Sequence, residues 1–372
     1  MRKIGLLVVS MFCFALVSST DIDYSTMSAT ELNEALRLAV IRNSADEVKK
    51  LVEAGADRNQ KITYTENRYD DYDILTTTLL GEAARCGYVG VVKELKEKAK
   101  NEDINEAFIL AAAKGRLEVV RELIQAKPKK SVISEALISA ATNNHPEVVR
   151  ELITAGANIN HIDKYKRTAL IWAASEGNLS IVKELIKAGA NVNHGDKDGG
   201  TALVLAAESG YPAVVRELIK ATSKQNAIDE ALLRLIACES DRKTEAWKKS
   251  RAEAVQGLLK AKANVNHADK NGNTALMFAA KNHDLDAVQL LLKARGIDVN
   301  RANNDGNTAL IVALNCVRTS YIPDHYGRER KQCEDSQEIV KILFEAPGTN
   351  HHHVNKKGDT AVKLLSKITS RL

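Results

Sequence analysis

The sequence predicts an all-α repeat, a solenoid of stacked helix-turn-helix units with β-hairpin or loop fingers. Two patterns and the composition predict it. The tripeptide T-A-L opens at Thr168, Thr201, Thr274 and Thr308, with the variants TLL at Thr78 and TAV at Thr360. Thr168 and Thr201 are 33 residues apart, and Thr274 and Thr308 are 34 apart. A fixed period of this size marks a stacked repeat. The second pattern is one amphipathic helix written again and again, as VVKELKEKA, VVRELIQA, VVRELITAGA, IVKELIKAGA and VVRELIKA. The composition agrees: 44% of residues are hydrophobic but 4% are aromatic, so much of the apolar share is Ala, Leu, Val and Ile. That suits helices in close contact better than a large aromatic pocket.

Taken from the N-terminus, residues 1–20 read MRKIGLLVVSMFCFALVSST. Arg2 and Lys3, an apolar run from Ile4 to Val17 and a tail of small residues have the form of a secretory signal peptide, cleaved near Ser19 or Thr20. The run is shorter than the ~20 residues a membrane span requires. A buried first helix and an uncleaved anchor are the other readings. Phe12 before Cys13 is too bulky for a bacterial lipoprotein site, which argues against a lipid anchor. The expectation is export to a periplasm or the outside medium, with no membrane span in the mature chain. Losing Arg2 and Lys3 lowers the formal charge from +5 to +3. The remaining bases and acids interleave, as in Val91–Lys100, so no stripe suited to nucleic acid is expected.

Residues 21–372 form the repeat region. Each unit begins with a polar turn, continues into a small-residue helix such as TALIWAASEG (Thr168–Gly177), and closes with a helix such as LSIVKELIKAG (Leu179–Gly189). In that second helix Ile181, Val182, Leu185 and Ile186 share one face, while Lys183, Glu184 and Lys187 share the other. Gly after the helix fits a left-handed cap. A single unit has too little core to fold alone, and stacking neighbours supplies it. The pattern D-K-N-G-N-T-A-L-x-x-A-A, then a helix, then A-G-A-N-V-N, resembles the ankyrin repeat. The resemblance runs from about Glu31 to Leu372, as about nine units and a C-terminal capping fragment, with starts near 30, 70, 103, 131, 161, 194, 227, 267, 301 and 356.

Departures from the family pattern are visible. The Pro of its T-P-L-H turn is Ala169, Ala202, Ala275, Ala309 or Leu79 here, and its His is Ile171, Val204, Met277 or Ile311. Units three, four and seven lack the T-A-L turn and read INEAFILAAAKG, VISEALISAATNN and AIDEALLRLIACES. Their fingers are expected to be short or irregular.

Three insertions interrupt the period, near 60–77, 239–255 and 317–337. The first sets Tyr64, Tyr69 and Tyr72 among Asp70, Asp71 and Asp73; a solvated long loop and a contact surface are its two readings. The second places Trp247 among Lys243, Lys248, Lys249 and Arg251. It reads as a longer second helix with a solvated basic face, or as a contact site for an acidic partner. The third is flanked by Cys316 and Cys333. In an exported protein these are expected to form a disulfide worth roughly 3 kcal/mol in the chain-entropy model; two thiols are the alternative. Cys86 and Cys238, in distant units, are expected unpaired.

No G-x-S-x-G, H-E-x-x-H, Walker A or G-x-G-x-x-G pattern occurs. His161, His194 and His267 recur at one turn position of the repeat, and His351–His353 lack a Cys or carboxylate pattern beside them. No catalysis, metal or cofactor is therefore expected. Resemblance to the ankyrin repeat implies a monomeric scaffold that binds a protein partner, of identity unknown, through its fingers and the inner face of its first helices. Mapped here, the finger candidates are Lys164, Tyr165, Lys197, Asp198, Lys270, Asn271, Asn304 and Asp305. The first-helix candidates are Arg85, Lys114, Ser175, Glu176, Glu208, Ser209, Lys281 and Asn282.

Overall fold

The computed structural model describes residues 23–68, 71–222, 224–238, 245–319 and 329–369. The signal segment therefore lies outside the described residues, as do Tyr69, Asp70 and the side chains of Tyr64, Tyr72 and Cys333. The chain divides into two compact units, Met1–Asn158 and Ile159–Leu372.

The first unit runs α1 (Ala29–Ile41), α2 (Ala45–Glu53), β1 (Lys61–Arg68), β2 (Asp71–Thr78), α3 (Leu79–Cys86), α4 (Val89–Lys96), α5 (Asn101–Ala113), α6 (Leu117–Ile124), α7 (Lys130–Thr142) and α8 (Pro146–Thr154). The odd-numbered helices pack in one row and the even-numbered ones in another. Each even helix buries the apolar face of its repeated sequence: Val91, Val92 and Leu95 in α4, Val119, Val120 and Leu123 in α6, Val148, Val149 and Leu152 in α8. At roughly 1.5–3 kcal/mol per buried side chain, that face stabilises the fold only when neighbours cover it.

The second unit contains α9 (Ala169–Ser175), α10 (Leu179–Lys187), α11 (Ala202–Glu208), α12 (Pro212–Ala221), α13 (Gln225–Ala237), α14 (Glu245–Lys260), α15 (Ala275–Lys281), α16 (Leu285–Leu292), α17 (Ala309–Thr319), α18 (Glu329–Glu345) and α19 (Ala361–Thr369). Here α9, α11, α13, α15, α17 and α19 form the first-helix row, and α10, α12, α14, α16 and α18 the second. Ala173, Ala174, Ala206, Ala207, Ala279 and Ala280 are buried where first helices meet. Ile171, Val204, Met277 and Ile311, which replace the family's turn His, are buried apolar side chains.

The T-A-L threonine is a helix cap. Thr168, Thr201 and Thr274 accept the N–H of the third residue on, at 3.3–3.4 Å, and their helices are short, at 7 residues. Such a cap satisfies one of the N–H groups a helix leaves open. Units three, four and seven differ from the sequence expectation. They have no irregular finger; the first helix starts early instead. Helices α5, α7 and α13 are each 13 residues long, as is α1. The reason is local: NEDINEA and QNAIDEA offer helix formers and no Gly for a left-handed turn.

The insertions also resolve in part. Residues 61–68 and 71–78 are paired antiparallel strands, from Lys61 with Thr78 through Arg68 with Asp71, and not a long loop. Their Thr, Ile and Tyr content carries the strand preference that the loop reading passed over. Glu245–Lys260 continues as helix, yet its face is not wholly solvated: Arg251 is turned inward, with 11% of its side chain exposed. Much of 317–337 extends α17 and α18, and residues 320–328 lie outside the described residues.

Candidate partner-binding surface

Every finger of the second unit is closed around one carboxylate or amide. Asp163, Asp196, Asp269, Asn303 and Asn355 each accept two backbone N–H groups through one side-chain oxygen, from the residues two and four positions on. The backbone closes the same loop, as in Asp196 N to Gly200 O and Gly199 N to Asp196 O, both 3.0 Å. The fourth residue is left-handed: Gly199, Gly272, Gly306 and Gly358, but Lys166 at φ 58° in the first finger. Asp and Asn in such Asx turns mimic a backbone turn.

Neighbouring fingers are stitched tip to tip. Lys197 N donates to Tyr165 O at 3.2 Å, Asn304 N to Asn271 O at 2.9 Å, and Lys356 N to Asp305 O at 3.0 Å. The turn histidines belong to this stitching. His194 Nε2 donates to Lys166 O and His353 Nε2 to Gly306 O, both at 2.9 Å. His267 follows a unit that has a long helix in place of a finger, and its Nε2 meets Glu230 at 3.3 Å instead. Behind the fingers runs an amide ladder: Asn160, Asn266 and Asn300 accept the N–H of Asn191, Asp298 and Asn350. Asp229, on a fingerless helix, does the same for Asn264. In the first unit Asn33 and Ser134 serve Asp57 and Asn158.

With these bonds drawn, the candidates separate. Lys164, Tyr165, Lys197, Asp198, Lys270, Asn271, Asn304 and Asp305 all stand at exposed tips. Of the first-helix residues, Glu176 and Lys281 are exposed. Ser209 and Lys114 are half-buried cap residues. Ser175 donates to its own helix at Trp172 O, 3.0 Å. Arg85 binds Glu82 and offers its carbonyl to Arg116. Glu208 pairs with Arg234 at 2.9 Å, and Asn282 donates to Ile236 O at 3.0 Å, joining first helices of adjacent repeats. Arg85 and Lys114 lie in the first unit and the remaining candidates in the second.

The first finger carries residues that the repeat pattern alone did not single out. Trp172 Nε1 donates to Asp163 at 2.8 Å, and Arg167 stacks 4.7 Å over the Trp172 ring while reaching Asp196 at 3.0 Å. Burial alone would raise the Asp196 carboxyl; the N–H groups of Gly200 and Asp198 and the Arg167 guanidinium outweigh it and hold the group below its ordinary value. For Glu208 burial wins over Arg234, with Asp196 and Glu230 adding to it, and the carboxyl is raised.

Groups with chemistry elsewhere are occupied structurally. His351 stacks on Phe344 and bonds its carbonyl at 2.8 Å. Ser336 Oγ lies 2.5 Å from His283 Nδ1, and Ser336 is buried, at 2% exposed. Among the described residues no group of three or more His, Cys, Asp or Glu side chains converges as metal ligands would, and no helix is long and apolar enough to cross a membrane.

Stacked helix pairs, a threonine cap on each finger-bearing first helix and Asx-closed fingers define one class of repeat. A family model described as ankyrin repeats in three copies matches residues 137–229 and 244–321. The chain contains ankyrin repeats. Among solved structures it is similar to the ankyrin repeat domain of Bcl-3, described as a unique member of the IkappaB protein family, at 24% identity over 61% of this chain and 92% of that one, with a TM-score of 0.49. It is similar also to the human ASB11 ankyrin repeat domain, at 24% identity over 61% of this chain and 90% of that one, with a TM-score of 0.46. No curated protein matches the chain.

Proposed function

We propose that this chain is an exported scaffold that holds a partner protein on its finger tips and on the exposed first-helix residues beside them. One observation carries the reading. The finger base is constant, an Asx oxygen on two N–H groups, while the tips vary: Lys164-Tyr165-Lys166, Lys197-Asp198-Gly199, Lys270-Asn271-Gly272, Asn304-Asp305-Gly306 and Lys356-Lys357-Gly358. A rigid frame with changeable projecting side chains is the arrangement by which a repeat protein recognises a partner. Export rests on the form of residues 1–20, and the Cys316–Cys333 pairing rests on export in turn.

Crosslinking in the native compartment tests the scaffold reading. A partner captured by the wild-type chain and lost on reversing Lys164, Lys197 and Lys270 to Glu supports it. A partner retained unchanged removes the fingers from the site, and the absence of any partner favours a structural spacer. The mass of the recovered chain tests removal of the signal segment: an intact N-terminus contradicts cleavage near Ser19 or Thr20. Two alkylatable thiols at Cys316 and Cys333 before reduction contradict the disulfide.

A further inference from the structure

We infer that the first finger tip of the second unit, Lys164-Tyr165-Lys166 with Lys197 of the next finger, docks an acidic segment of the partner protein, its carboxylates on the lysines and an apolar or aromatic side chain against Tyr165 and Ile162. The inference rests on the scaffold reading and specifies the chemistry of what is held.

Three features of the tip point there. The first is exposed apolar surface on a rigid mount. Tyr165 is 39% exposed and Ile162 43%. The Tyr165 ring meets Trp172 edge-on, 6.4 Å between centroids at 72°, and Trp172 is itself fixed by Asp163 and Arg167. A Tyr held this way loses little freedom on binding, which is why such residues anchor interfaces.

The second is the direction of charge. Both carboxylates of the finger bases point inward. Asp163 is consumed by Tyr165 N, Arg167 N and Trp172 Nε1, and Asp196 by Asp198 N, Gly200 N and Arg167. The two lysines are exposed: Lys164 Nζ lies 5.1 Å and Lys197 Nζ 5.3 Å from the Tyr165 centroid, and among the described residues neither is ion-paired. Two cations therefore lie over one aromatic ring, with their charge left for an incoming anion.

The third is the backbone at Lys166. The other four fingers place Gly at the left-handed position, whereas this finger keeps Lys at φ 58°. An L side chain adopts that conformation at a cost Gly avoids. The finger thus holds a third exposed cation where its neighbours hold none.

The test is fluorescence anisotropy of the purified chain with a labelled peptide alternating Glu and Phe, and a Lys and Phe counterpart as control. The Glu peptide is expected to bind and to weaken with salt. Tyr165→Ala is expected to weaken it about tenfold, and Lys164→Glu with Lys197→Glu by more. Reversing Lys356 and Lys357 on the last finger is expected to leave it unchanged, and circular dichroism checks that each variant folds. No binding of the Glu peptide, equal binding of the Lys peptide, or indifference to Tyr165→Ala overturns the inference. So does tighter binding at this tip of phosphatidylglycerol vesicles or a single-stranded DNA oligomer, because the surface is then one for phosphates. A crosslinked partner whose contacts map away from residues 164–166 overturns this inference and leaves the scaffold reading standing. Peptide binding lost in the variants, with no partner captured from the native compartment, strikes the scaffold reading instead.

Discussion

Replacing Arg251 with Ala tests whether the second insertion is a structural clamp. The guanidinium stacks 5.2 Å over Trp247, donates to Leu235 O at 3.2–3.3 Å and to Ile236 O at 3.1 Å, and pairs with Asp284. Those carbonyls end α13, and Asp284 caps α16 by accepting Ala287 N at 3.0 Å. One side chain therefore closes two helix termini from a third helix. With 11% of Arg251 and 14% of Asp284 exposed, loss of the cation strands a nearly buried carboxylate, and breaking a buried pair from one side costs about 3–5 kcal/mol. Residual exposure places the expected loss near the lower end, about 3 kcal/mol. Lys249→Ala, an exposed neighbour on the same helix, should cost within ~0.5 kcal/mol. Urea unfolding followed by the fluorescence of Trp247, in a Trp172→Phe background, reads the change where it occurs. Repeat arrays need not unfold in one step, so the comparison is between transitions seen by this one reporter. Arg251→Ala and Lys249→Ala with equal midpoints would refute the clamp. So would an Asp284→Asn, Arg251→Ala double variant whose losses simply add, since residues in one network are expected to couple.

Other outcomes follow from the same geometry. Thr274→Ala should cost about 1 kcal/mol of stability through the lost cap, and Thr274→Ser should recover most of it, as thermal unfolding would show. Gly177→Ala should cost about 2 kcal/mol or more in the same measurement, because φ is +76° there and the added Cβ would meet the Tyr211 ring at 2.5 Å. Asp196 has a depressed carboxyl, so its stabilisation is full above the unfolded value of about 3.9 and is lost as pH falls through the lower folded value. Asp196→Asn, which Asn303 and Asn355 show the finger accepts, should flatten that acid limb of an unfolding profile. Glu208 has the opposite sign: the folded state keeps a proton that the unfolded state releases, so stability falls as pH rises from about 4.3 through its raised value, and Glu208→Gln should remove that slope.

The fold was legible because stacking repeats the same requirement in every unit. Each second helix must bury one face, and Val-Val-x-x-Leu recurs for that reason; each finger must turn over in a few residues, and Asp or Asn, followed three residues on by Gly in all but one, recurs for that one. What the repeat hid was where the chain substitutes one solution for another. A unit lacking the T-A-L turn looks like a damaged finger when read by period, yet NEDINEA and QNAIDEA are sound helix sequences, and the chain lengthens α5 and α13 accordingly. Asp229 then serves Asn264 where a finger-bearing unit would use an amide behind its loop. The candidate site was half legible on the same grounds. Position in the period places Lys164 and Tyr165 at a tip, but period says nothing about which tips are held rigid. That depends on Trp172, Arg167 and Asp196, which belong to two successive repeats and meet only once the stack forms. Lys166 was the available signal: a Lys where every other finger of the unit has Gly. This finger departs from its neighbours at a cost in backbone energy, and it does so beside an exposed ring and two exposed lysines.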